Sequence, residues 1–300
     1  MHNDILDCIV IGAGPAGLTA AIYLKRANIN SIIIEKGPYG GKVNYTSMVN
    51  NYLGFQEVSG PDLAEKFYIH AMENGVEIIS DEIVEVSKNN DMFIVKSTDE
   101  EYHARSVIVA SGTEDKKLNL ENAYKFEHKG ISYCAICDGP LYKNKVVAII
   151  GGGNSALEEA LYLANITQKV YLIHRRNEFR GDKALIDLVK KNTNIELVMN
   201  ANVIELKGEN KLEAIALDNG QTLNVEALFP YIGQIPNYTF LKFDNLSNES
   251  GYIIVNSNME TSIDGLFAAG DVTNNELKQI ATASGNGAVA AQGVISYLRR

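Results

Sequence analysis

Short apolar runs that end in glycine-rich turns are the most regular feature of the chain. The first run, residues 8–11, leads directly into Gly12-Ala-Gly14-Pro-Ala-Gly17, and apolar residues then recur at helical spacing over residues 18–24. A second apolar run, residues 31–34, ends at Glu35. A buried strand, a glycine turn, a helix and a second strand ending in an acid predict a dinucleotide-binding unit of the Rossmann type.

The residues of this turn suit a phosphate group. Glycines permit a tight turn and let a pyrophosphate approach the backbone N–H groups at the start of the helix. An acid at the end of the second strand can accept a hydrogen bond from a ribose 2′-hydroxyl. We therefore expect a dinucleotide to contact Gly12, Gly14, Pro15, Ala16, Gly17 and Glu35.

The same pattern recurs from residue 146 onward. An apolar run over residues 146–150 precedes Gly151-Gly-Gly153-Asn-Ser-Ala156, and a second apolar run covers residues 171–173. The helical positions of the two units stand in register, because Leu157, Ala160, Tyr162 and Leu163 match Leu18, Ala21, Tyr23 and Leu24. The repeat predicts a second dinucleotide site, whose phosphate turn contains Gly151, Gly153, Asn154, Ser155 and Ala156.

The two predicted sites differ at the end of their second strands. Glu35 is matched by His174, which is followed by Arg175, Arg176 and Arg180. A carboxylate would repel a ribose 2′-phosphate, whereas guanidinium groups bind one through paired hydrogen bonds. The second site is therefore predicted to prefer NADP(H) over NAD(H). A solvated basic face at the start of a helix is the alternative, and the position of the cluster at the strand end favours the nucleotide site.

The segments around the two units complete an α/β pattern. Residues 37–61 are rich in Gly, Asn and Tyr and predict a long loop, residues 62–75 predict a helix, and residues 76–109 predict short strands. Helical spacing returns at residues 183–191 and at residues 281–298, where many small residues suit close packing inside a domain better than a membrane surface.

The second unit interrupts the first. We expect the chain to leave the first domain near Thr113 and to re-enter it near Leu241. The predicted fold class is α/β, with two Rossmann-like dinucleotide-binding domains, the second inserted into the first. The predicted boundaries are residues 1–116 and 242–300 for the outer domain and residues 117–241 for the inserted domain.

Composition narrows the possible function classes. The chain has 300 residues, 46% of them hydrophobic, which supports two domains with cores of their own. A formal net charge of -10 argues against a nucleic-acid surface. The longest apolar runs are strand-length, far short of the ~20 residues that a membrane helix needs. The first residues also lack the basic and apolar regions of a signal peptide. We expect neither a membrane nor a nucleic-acid partner.

The candidate chemistry lies in the segment Ser132-Tyr-Cys-Ala-Ile-Cys-Asp138. The two thiols, Cys134 and Cys137, can close a small, reversible disulfide that stores two electrons, and a nearby helix N-terminus would stabilise a thiolate. A zinc site is the alternative, but it needs two more ligands, and the third cysteine, Cys8, lies inside an apolar run. We therefore predict a redox pair and no metal site. Three cysteines, two of them in one motif, favour a reducing compartment such as the cytoplasm.

With these motifs in place, the chain resembles the bacterial low-molecular-weight thioredoxin reductases. The resemblance covers essentially the whole chain and is carried by Cys-Ala-Ile-Cys-Asp-Gly, Gly-Gly-Gly-Asn-Ser-Ala, His-Arg-Arg-x-x-x-Arg and Ala-Ala-Gly-Asp-Val. It implies that the outer domain binds FAD through the first glycine turn and Glu35, and that the inserted domain binds NADPH. It also places further residues around the flavin, namely Gly40, Gly41, Lys42, Asn51, Ala110, Gly112, Asp271, Lys278, Gln279 and Ile280.

The resemblance further implies the reaction and the partner. NADPH delivers hydride to FAD, reduced FAD reduces the Cys134–Cys137 disulfide, and the dithiol reduces oxidised thioredoxin. In this scheme Cys137 is the sulfur next to the flavin, Cys134 attacks the partner's disulfide and Asp138 handles the proton. A helix cap or turn residue is the alternative for Asp138. We also expect a homodimer, and rotation of one domain against the other about residues 113–117 and the region near Leu241.

Three positions depart from the usual pattern of that family. Lys42 stands where the family has Gln, Leu53 where it has Pro, and Lys278 where it has Arg. A lysine near the isoalloxazine would stabilise reduced flavin, and lysine in place of arginine keeps the charge but loses the planar fork. We expect these positions to affect the tuning of the flavin rather than its binding.

Other functions fit these residues less well. A flavoprotein that serves peroxiredoxins directly would need an extra thioredoxin-like domain, for which the chain has no room before Gly12. A flavin dithiol oxidase or a ferredoxin-driven relative would not need Arg175 and Arg176. A non-enzymatic redox sensor or NADP-binding scaffold would not need both the disulfide and Asp138. Because the chain ends at Arg300, we expect no further C-terminal redox centre.

Overall fold

The computed structural model describes residues 5–300 and divides the chain into two compact units. Unit 2 comprises Asp115–Gln234. Unit 1 comprises the residues on either side of it, up to Glu114 and from Ile235 to Arg300. One α/β unit is thus inserted into another, which confirms the predicted fold class.

The secondary structure alternates strands and helices in both units. In chain order, the strands are β1 (Leu6–Ile11), β2 (Ser31–Glu35), β3 (Glu77–Ser80), β4 (Ile83–Asn89), β5 (Met92–Ser97), β6 (Glu101–Val109), β7 (Thr113–Asp115), β8 (Val146–Ile150), β9 (Lys169–His174), β10 (Ile195–Met199), β11 (Val203–Lys207), β12 (Ala214–Leu217), β13 (Thr222–Asn224), β14 (Ala227–Pro230), β15 (Gln234–Pro236) and β16 (Leu266–Ala268). The α-helices are α1 (Pro15–Arg26), α2 (Gly60–Glu73), α3 (Ala123–Phe126), α4 (Ala135–Asp138), α5 (Asn154–Ala164), α6 (Lys183–Lys191) and α7 (Ile280–Tyr297). Short 3₁₀ helices cover Gly41–Tyr45, Gly139–Tyr142 and Gly270–Val272.

Unit 1 is built on a sheet with the strand order β3-β2-β1-β6-β5-β4, in which β16 also pairs with β6. Strands β3, β2, β1, β6 and β16 run parallel, whereas β4, β5 and the start of β6 form an antiparallel meander. Both faces of β1 are buried. Cys8 and Val10 face the hydrophobic cluster that holds α1 and α7, while Ile9 and Ile11 face a second cluster on the opposite side. Burial on both faces explains why β1 appears in the sequence as a continuous apolar run.

Helix α7 packs closely against α1. A Cβ atom added at Gly287 would lie 2.1 Å from the backbone oxygen of Ala16, so only glycine allows the two helices to approach this far. Ala283, Ala290 and Val294 complete the buried face of α7. The small residues of α7 therefore serve packing inside unit 1, as the sequence indicated. Among residues 5–300, no helix is both long and apolar enough to cross a membrane.

Unit 2 contains a parallel sheet with the order β10-β9-β8-β14 and a three-stranded antiparallel sheet with the order β11-β12-β13. Strand β8 is also buried on both sides. Val147 and Ile149 pack with α5 in one hydrophobic cluster, and Ala148 packs in the cluster that includes β11 and β12. The second strand–turn–helix–strand unit predicted from the repeat is β8, α5 and β9.

The second crossing between the units lies earlier than the boundary placed at residue 241. Unit 2 ends at Gln234. Phe240 and Leu241 belong to unit 1 because they are buried in the same cluster as Val86. The backbone fixes them there, since the N–H of Val86 donates to the oxygen of Phe240 (2.8 Å) and the N–H of Lys242 donates to the oxygen of Val86 (3.0 Å). Gly233 and Pro236 flank this crossing in the sequence.

The segment predicted as one long loop, residues 37–61, is partly ordered by backbone pairing. A 3₁₀ helix covers Gly41–Tyr45, and Val49 and Val58 form an antiparallel bridge with N–H···O distances of 2.8 and 3.0 Å. Helix α2 begins at Gly60 rather than at residue 62, because the hydroxyl of Ser59 accepts a hydrogen bond from the N–H of Asp62 and caps the helix.

Candidate functional site

The first glycine turn is crowded at two of its glycines. Gly12 has a φ of 104°, and a Cβ atom there would lie 2.5 Å from the backbone oxygen of Ala110. A Cβ atom at Gly17 would lie 1.9 Å from the oxygen of Gly12. Gly14 differs, because no atom lies within 4 Å of its Cβ position. The turn thus folds tightly onto β6 and α1 and leaves open space at the helix start, where backbone N–H groups lack partners within the helix.

Glu35 is held at the end of β2 by two backbone hydrogen bonds. Ala13 N–H donates to Oε2 (2.6 Å), and Gly37 N–H donates to Oε1 (2.8 Å). Each carboxylate oxygen keeps a further lone pair that can accept from a ligand hydroxyl. Glu35 therefore lies beside the first glycine turn as an oriented acceptor.

The loop with Gly40 and Gly41 closes over the same turn. Gly40 N–H donates to the oxygen of Ala13 (2.7 Å), and both glycines have positive φ angles, 89° and 56°. A Cβ atom at Gly41 would lie 3.4 Å from the Cα of Gly14. These contacts bring two separate predicted segments to one edge of the unit 1 sheet.

Asp271 lies in unit 1 with two lysines near it. Burial raises the pKa of its carboxyl, and the charges of Lys278 and Lys42 act in the opposite direction. Lys278 is itself partly buried, which lowers the pKa of its ammonium against the opposing effect of Asp271. Its Nζ donates to the backbone oxygen of Thr273 and lies 4.1 Å from the ring centroid of Tyr252. Two of the departures from the family pattern therefore act on one half-buried carboxyl group.

Asn51 and Gln279 meet although they lie far apart in the chain. The Nδ2 of Asn51 donates to the Oε1 of Gln279 (3.1 Å). Gln279 also caps α7, forming a capping box with Thr282. Ile280, the next residue, is the first of α7. The hydrogen bond holds Asn51, a loop residue that was predicted to lie near the flavin, at the start of α7.

Ala110 and Gly112 lie where β6 ends beside β1. Ala110 N–H donates to the oxygen of Ile11 (2.8 Å), and Gly112 adopts a φ of 65°. Asn237, which the sequence analysis did not select, holds this segment, because its N–H donates to the oxygen of Gly112 (3.0 Å) and its oxygen accepts from the hydroxyl of Ser111. Unit 1 fits FAD in one respect that the structure shows directly. The Cβ position of Gly14 is open space at the start of α1, and a side chain there would fill the space that a phosphate group needs.

The second glycine turn uses its glycines differently. A Cβ atom at Gly151 would lie 2.5 Å from the Cβ of Ala156, and one at Gly152 would lie 2.3 Å from the ring of His174. Gly153, at the start of α5, has open space at its Cβ position. Open space at the helix start again fits a phosphate group.

Asn154 fixes the loop that follows β9. Its Nδ2 donates to the Oδ2 of Asp182 (2.8 Å), and Asp182 N–H donates back to its Oδ1 (2.7 Å). Arg180 N–H donates to the oxygen of Gly152 (2.7 Å). Asp182 was not predicted, although an acid directly before the helix that begins at Lys183 is a recognisable capping signal.

His174 and the three arginines occupy different environments. The imidazole is 5% exposed, and Glu178 contributes a backbone oxygen 3.0 Å from Nε2. Burial lowers the pKa of His174, and the three arginine charges add to this effect. Arg175, Arg176 and Arg180 are exposed, and none of them makes an ion pair or side-chain hydrogen bond to the part of the chain that the structure describes. The positive charge at this strand end therefore comes from the arginines, and the histidine fills the space above Gly152.

Cys134 and Cys137 form a disulfide with a Cα–Cα distance of 5.3 Å. Cys134 is the cap of α4, and its Sγ accepts a hydrogen bond from Cys137 N–H (3.1 Å). Cys137 is exposed, whereas Cys134 is half-buried. A backbone N–H aimed at the Cys134 sulfur would stabilise a thiolate there after reduction.

Asp138 follows the disulfide as the last residue of α4. Its N–H donates to the oxygen of Cys134 (3.1 Å). Within residues 5–300, its carboxylate makes no hydrogen bond or ion pair, which leaves it available as a proton acceptor. Its charge adds to burial in raising the pKa of Tyr142.

Tyr231 is a further residue at the redox motif that the sequence analysis missed. Its hydroxyl oxygen accepts a hydrogen bond from Ala135 N–H (3.2 Å), between the two cysteines. Burial raises the pKa of Tyr231. Tyr231 directly follows β14, so its position after a buried parallel strand was the available signal, because such strand ends form the functional edge of an α/β sheet.

Comparison with known proteins places the chain among disulfide oxidoreductases. Residues 6–287 match the family model described as pyridine nucleotide-disulphide oxidoreductase. The thioredoxin reductase of Ureaplasma parvum is 42% identical, over 100% of this chain and 99% of that protein. That of Bacillus subtilis is 40% identical, over 99% of this chain and 96% of that protein.

Solved structures give the same result. The crystal structure of Lactococcus lactis thioredoxin reductase has a TM-score of 0.95 and 33% sequence identity, over 98% of this chain and 99% of that chain. The crystal structure of T. acidophilum thioredoxin reductase has a TM-score of 0.93 and 35% identity, over the same shares.

Proposed function

The chain belongs to the pyridine nucleotide-disulphide oxidoreductase family, and we propose that it is an NADPH- and FAD-dependent thioredoxin-disulfide reductase. The observation that carries the proposal is the Cys134–Cys137 disulfide, in which Cys137 is an exposed residue, in a chain that has two dinucleotide-type turns. Relatives named thioredoxin reductase that match the whole chain support thioredoxin as the partner.

Two sets of residues would hold the cofactors. We assign FAD to unit 1, with the Gly12–Gly17 turn at its pyrophosphate, Glu35 at its ribose, and the segments of Asn51 and Asp271 near the flavin. We assign NADPH to unit 2, with the turn before α5 at its pyrophosphate. When bound, the two groups supply one electron pair, as hydride from NADPH to FAD and then as electrons for a disulfide.

The arginines of unit 2 select the nicotinamide cofactor. Arg175, Arg176 and Arg180 are exposed and have no carboxylate partner among the described residues, so their N–H groups are available to a ribose 2′-phosphate. The neighbouring His174 contributes little charge at neutral pH because burial lowers its pKa. The site thereby favours NADPH over NADH.

The two cysteines carry the chemistry of the second half-reaction. Two electrons break the Cys134–Cys137 bond and leave a thiolate at one sulfur and, with one proton, a thiol at the other. We assign the thiolate that attacks the partner to Cys134, because Cys137 N–H can donate to it. We assign to Cys137 the sulfur that receives the electrons first, following the family scheme.

Thiol–disulfide exchange then completes the cycle. Cys134 attacks one sulfur of oxidised thioredoxin, and the other thioredoxin sulfur leaves as a thiolate. Cys137, deprotonated by Asp138, attacks Cys134, restores the intramolecular disulfide and releases the second thioredoxin sulfur. Asp138 is suited to move the proton between Cys137 and the leaving thiolate because its carboxylate follows Cys137 directly.

Assembly and location belong to the same proposal. A homodimer is the arrangement expected from the family resemblance. The cytoplasm is the location we propose, because a catalytic dithiol and only one other cysteine fit a reducing compartment.

An anaerobic titration tests the function. The purified yellow protein is titrated with NADPH, and separately with NADH, while flavin absorbance is followed, and disulfide-bearing thioredoxin is then added. We expect bleaching by NADPH in preference to NADH, and recovery of the absorbance on addition of thioredoxin. Bleaching without recovery would exclude thioredoxin as the partner, and absence of bleaching would exclude NADPH as the electron source.

Matched cysteine variants separate the redox pair from a general effect of losing a thiol. Cys134→Ser and Cys137→Ser should keep bleaching by NADPH and lose turnover with thioredoxin. Cys8→Ala, which removes the free and buried cysteine of β1, should retain both activities. Full thioredoxin turnover in either of the first two variants would contradict the proposal.

A further inference from the structure

Glu159 is a buried acid on α5 that the reaction described above does not use. The residue is 6% exposed, and its Oε2 has no hydrogen-bond partner in the described part of the chain. Its helix packs in an otherwise apolar cluster that includes Ala135, Leu157 and Phe229. A buried carboxyl group without a hydrogen-bond partner lowers the stability of the fold. Its presence in the cluster that also contains Ala135 of the redox motif therefore indicates a functional role.

Tyr231 connects this acid to the redox turn. Its hydroxyl oxygen accepts from Ala135 N–H (3.2 Å), and its own N–H donates to the oxygen of Ile150 (2.7 Å). Tyr231 packs against the hydrophobic cluster that contains Ala135 and the buried face of α5, the helix of Glu159. The charge of Glu159 adds to burial in raising the pKa of Tyr231. Ala135 is 1% exposed and lies between Cys134 and Cys137.

The charge that acts on Glu159 is negative. Burial, and after it the charge of Glu158, raises the pKa of the Glu159 carboxyl to about 8. The elements packed against α5 carry further charged groups, which are Asp138 on α4, Lys183, Asp187, Lys190 and Lys191 on α6, Lys169 on β9 and Glu196 on β10, and the raised pKa of Glu159 is attributed to none of them. The neighbouring titratable groups are Glu158 and Tyr162 on its own helix, Tyr231 after β14, Asp182 acting on Glu158, and Asp115 acting on Tyr231.

We propose that Glu159 is a positioning residue of the redox centre, which acts through Tyr231 on the Cys134–Cys137 turn and places a switchable negative charge behind the dithiol. The proposal rests on the proposed function only in taking Cys134 and Cys137 as the redox pair. Glu159 carries a proton at neutral pH and a negative charge at higher pH.

The charge state matters because reduction creates a thiolate. The disulfide takes up two electrons and, depending on pH, one or two protons. An ionised Glu159 disfavours a nearby thiolate and therefore shifts the equilibrium toward the disulfide. The dithiol of the natural chain should become a stronger reductant above pH 8 than the dithiol of a variant that cannot ionise at this position.

The test measures the dithiol–disulfide equilibrium of the FAD-loaded protein. Wild type and Glu159→Gln are equilibrated from pH 6.5 to 9.5 with mixtures of reduced and oxidised dithiothreitol, quenched with acid, and labelled to count thiols by mass spectrometry. We expect equal equilibrium constants for reduction at pH 6.5. At pH 9.5 the constant of the wild type should be smaller by about three- to tenfold. Curves that superimpose over the whole range would overturn the proposal.

Two further variants keep the test decisive. In Glu158→Gln, the equilibrium constant for reduction should fall below that of Glu159→Gln at a lower pH than it does in the wild type. The reason is that this variant lacks the Glu158 charge, which adds to burial in raising the pKa of Glu159. Tyr231→Phe should shift the equilibrium at every pH, because Ala135 N–H loses its acceptor. A Tyr231→Phe curve identical to wild type would overturn the action through Tyr231.

Failure of this proposal can be told apart from failure of the proposed function. The dithiothreitol equilibrium needs neither NADPH nor thioredoxin. A pair that dithiothreitol reduces, with no effect of Glu159→Gln, would overturn only the role of Glu159. A pair that equilibrates with dithiothreitol, but is not reduced by NADPH, would overturn the proposed function and leave the role of Glu159 standing.

Discussion

The two strand–turn–helix–strand units, β1-α1-β2 and β8-α5-β9, share a backbone plan and differ where their second strands end. In unit 1, the carboxylate of Glu35 is exposed in part and held by two backbone N–H groups, so it presents acceptors. In unit 2, His174 is buried above Gly152, and the charge comes from the arginines that follow it. The shared backbone of the two units determines where a dinucleotide would bind. The residues at the end of the second strand determine which dinucleotide each unit would prefer.

The two glycine turns also differ in which glycine makes room for the packing of the turn against its helix. In unit 1 the missing side chain of Gly17 makes room for the oxygen of Gly12, which has a φ of 104°. In unit 2 the matching helix position is Ala156, and the missing side chain of Gly151 makes room for its methyl group. Gly151 needs no positive φ for this. The glycines of the two motifs are therefore not equivalent, although they align in the sequence.

The largest expected effect tests this packing difference. Gly17→Ala places a Cβ atom 1.9 Å from a backbone oxygen, so α1 must move away from the turn. We expect a loss of about 3 kcal/mol or more in the free energy of unfolding and loss of bound FAD. The reverse change, Ala156→Gly, should cost only about 1 kcal/mol, the helix penalty of glycine. Urea unfolding and the FAD-to-protein absorbance ratio measure both.

A control within the same turn separates folding from cofactor binding. Gly14→Ala adds a methyl group where no protein atom lies within 4 Å. It should fold normally and bind FAD less tightly, because the methyl group occupies the cradle at the helix start. Equal stability of Gly17→Ala and Gly14→Ala would show that the turn is not crowded at Gly17.

The second effect concerns the helices that follow the turns. Ala20 of α1 is fully buried, and the matching position of α5 is Glu159. The pKa of Glu159 is raised from 4.5 to about 8 in the folded chain, so its protonated form stabilises the fold below about pH 4.5. That contribution is lost as the pH rises toward 8. Glu159→Gln does not ionise and should therefore be more stable than the wild type at high pH. The difference in free energy of unfolding between the variant and the wild type should be roughly 3 kcal/mol larger at pH 8 than at pH 5.

Urea unfolding of both proteins at the two pH values checks this expectation. Glu158→Gln is the matched control, because Glu158 lies next along the helix and is less buried than Glu159. It should show a smaller dependence on pH. A Glu159→Gln variant whose advantage is the same at pH 5 and pH 8 would show that the carboxyl ionises normally in the folded chain.

The smallest of the three expected effects concerns the arginines that follow β9 and the preference of unit 2 for NADPH. Replacing Arg175, Arg176 and Arg180 together by Ala removes the donors for a 2′-phosphate. We expect the kcat/KM for NADPH to fall about 100-fold, corresponding to two charge-assisted hydrogen bonds, with little change for NADH. Steady-state kinetics with both cofactors at low and high salt measure the effect.

Lys190→Ala serves as the control for that variant, because Lys190 is an exposed cation of α6 in the same unit. It should leave the preference for NADPH unchanged. A parallel loss with NADH in the arginine variant would mean that the cluster stabilises the loop rather than selecting the 2′-phosphate.

The amino-acid sequence by itself determined the repeated unit, the insertion of one domain into another and the redox pair. These features depend on consecutive residues: apolar runs with strand period, glycines at fixed spacing, and two thiols two residues apart. Helix α6 begins and ends at the residues that the sequence predicted, Lys183–Lys191, because its apolar spacing is continuous. The acid at position 35 and the arginines after position 174 were recognisable for the same reason, since each directly follows an apolar strand.

Only the tertiary structure decided which distant residues meet. The Asn51 side chain bonds to Gln279, and the Tyr231 hydroxyl bonds to Ala135, because a loop, a strand end and two helix starts that are remote in sequence pack together in space. The burial of Glu159 was equally hidden, since a pair of acids on a helix is typical of a solvated face and only the packing of α5 shows which of the two is enclosed. Contact and burial depend on how the elements pack in space, and local periodicity does not record that packing.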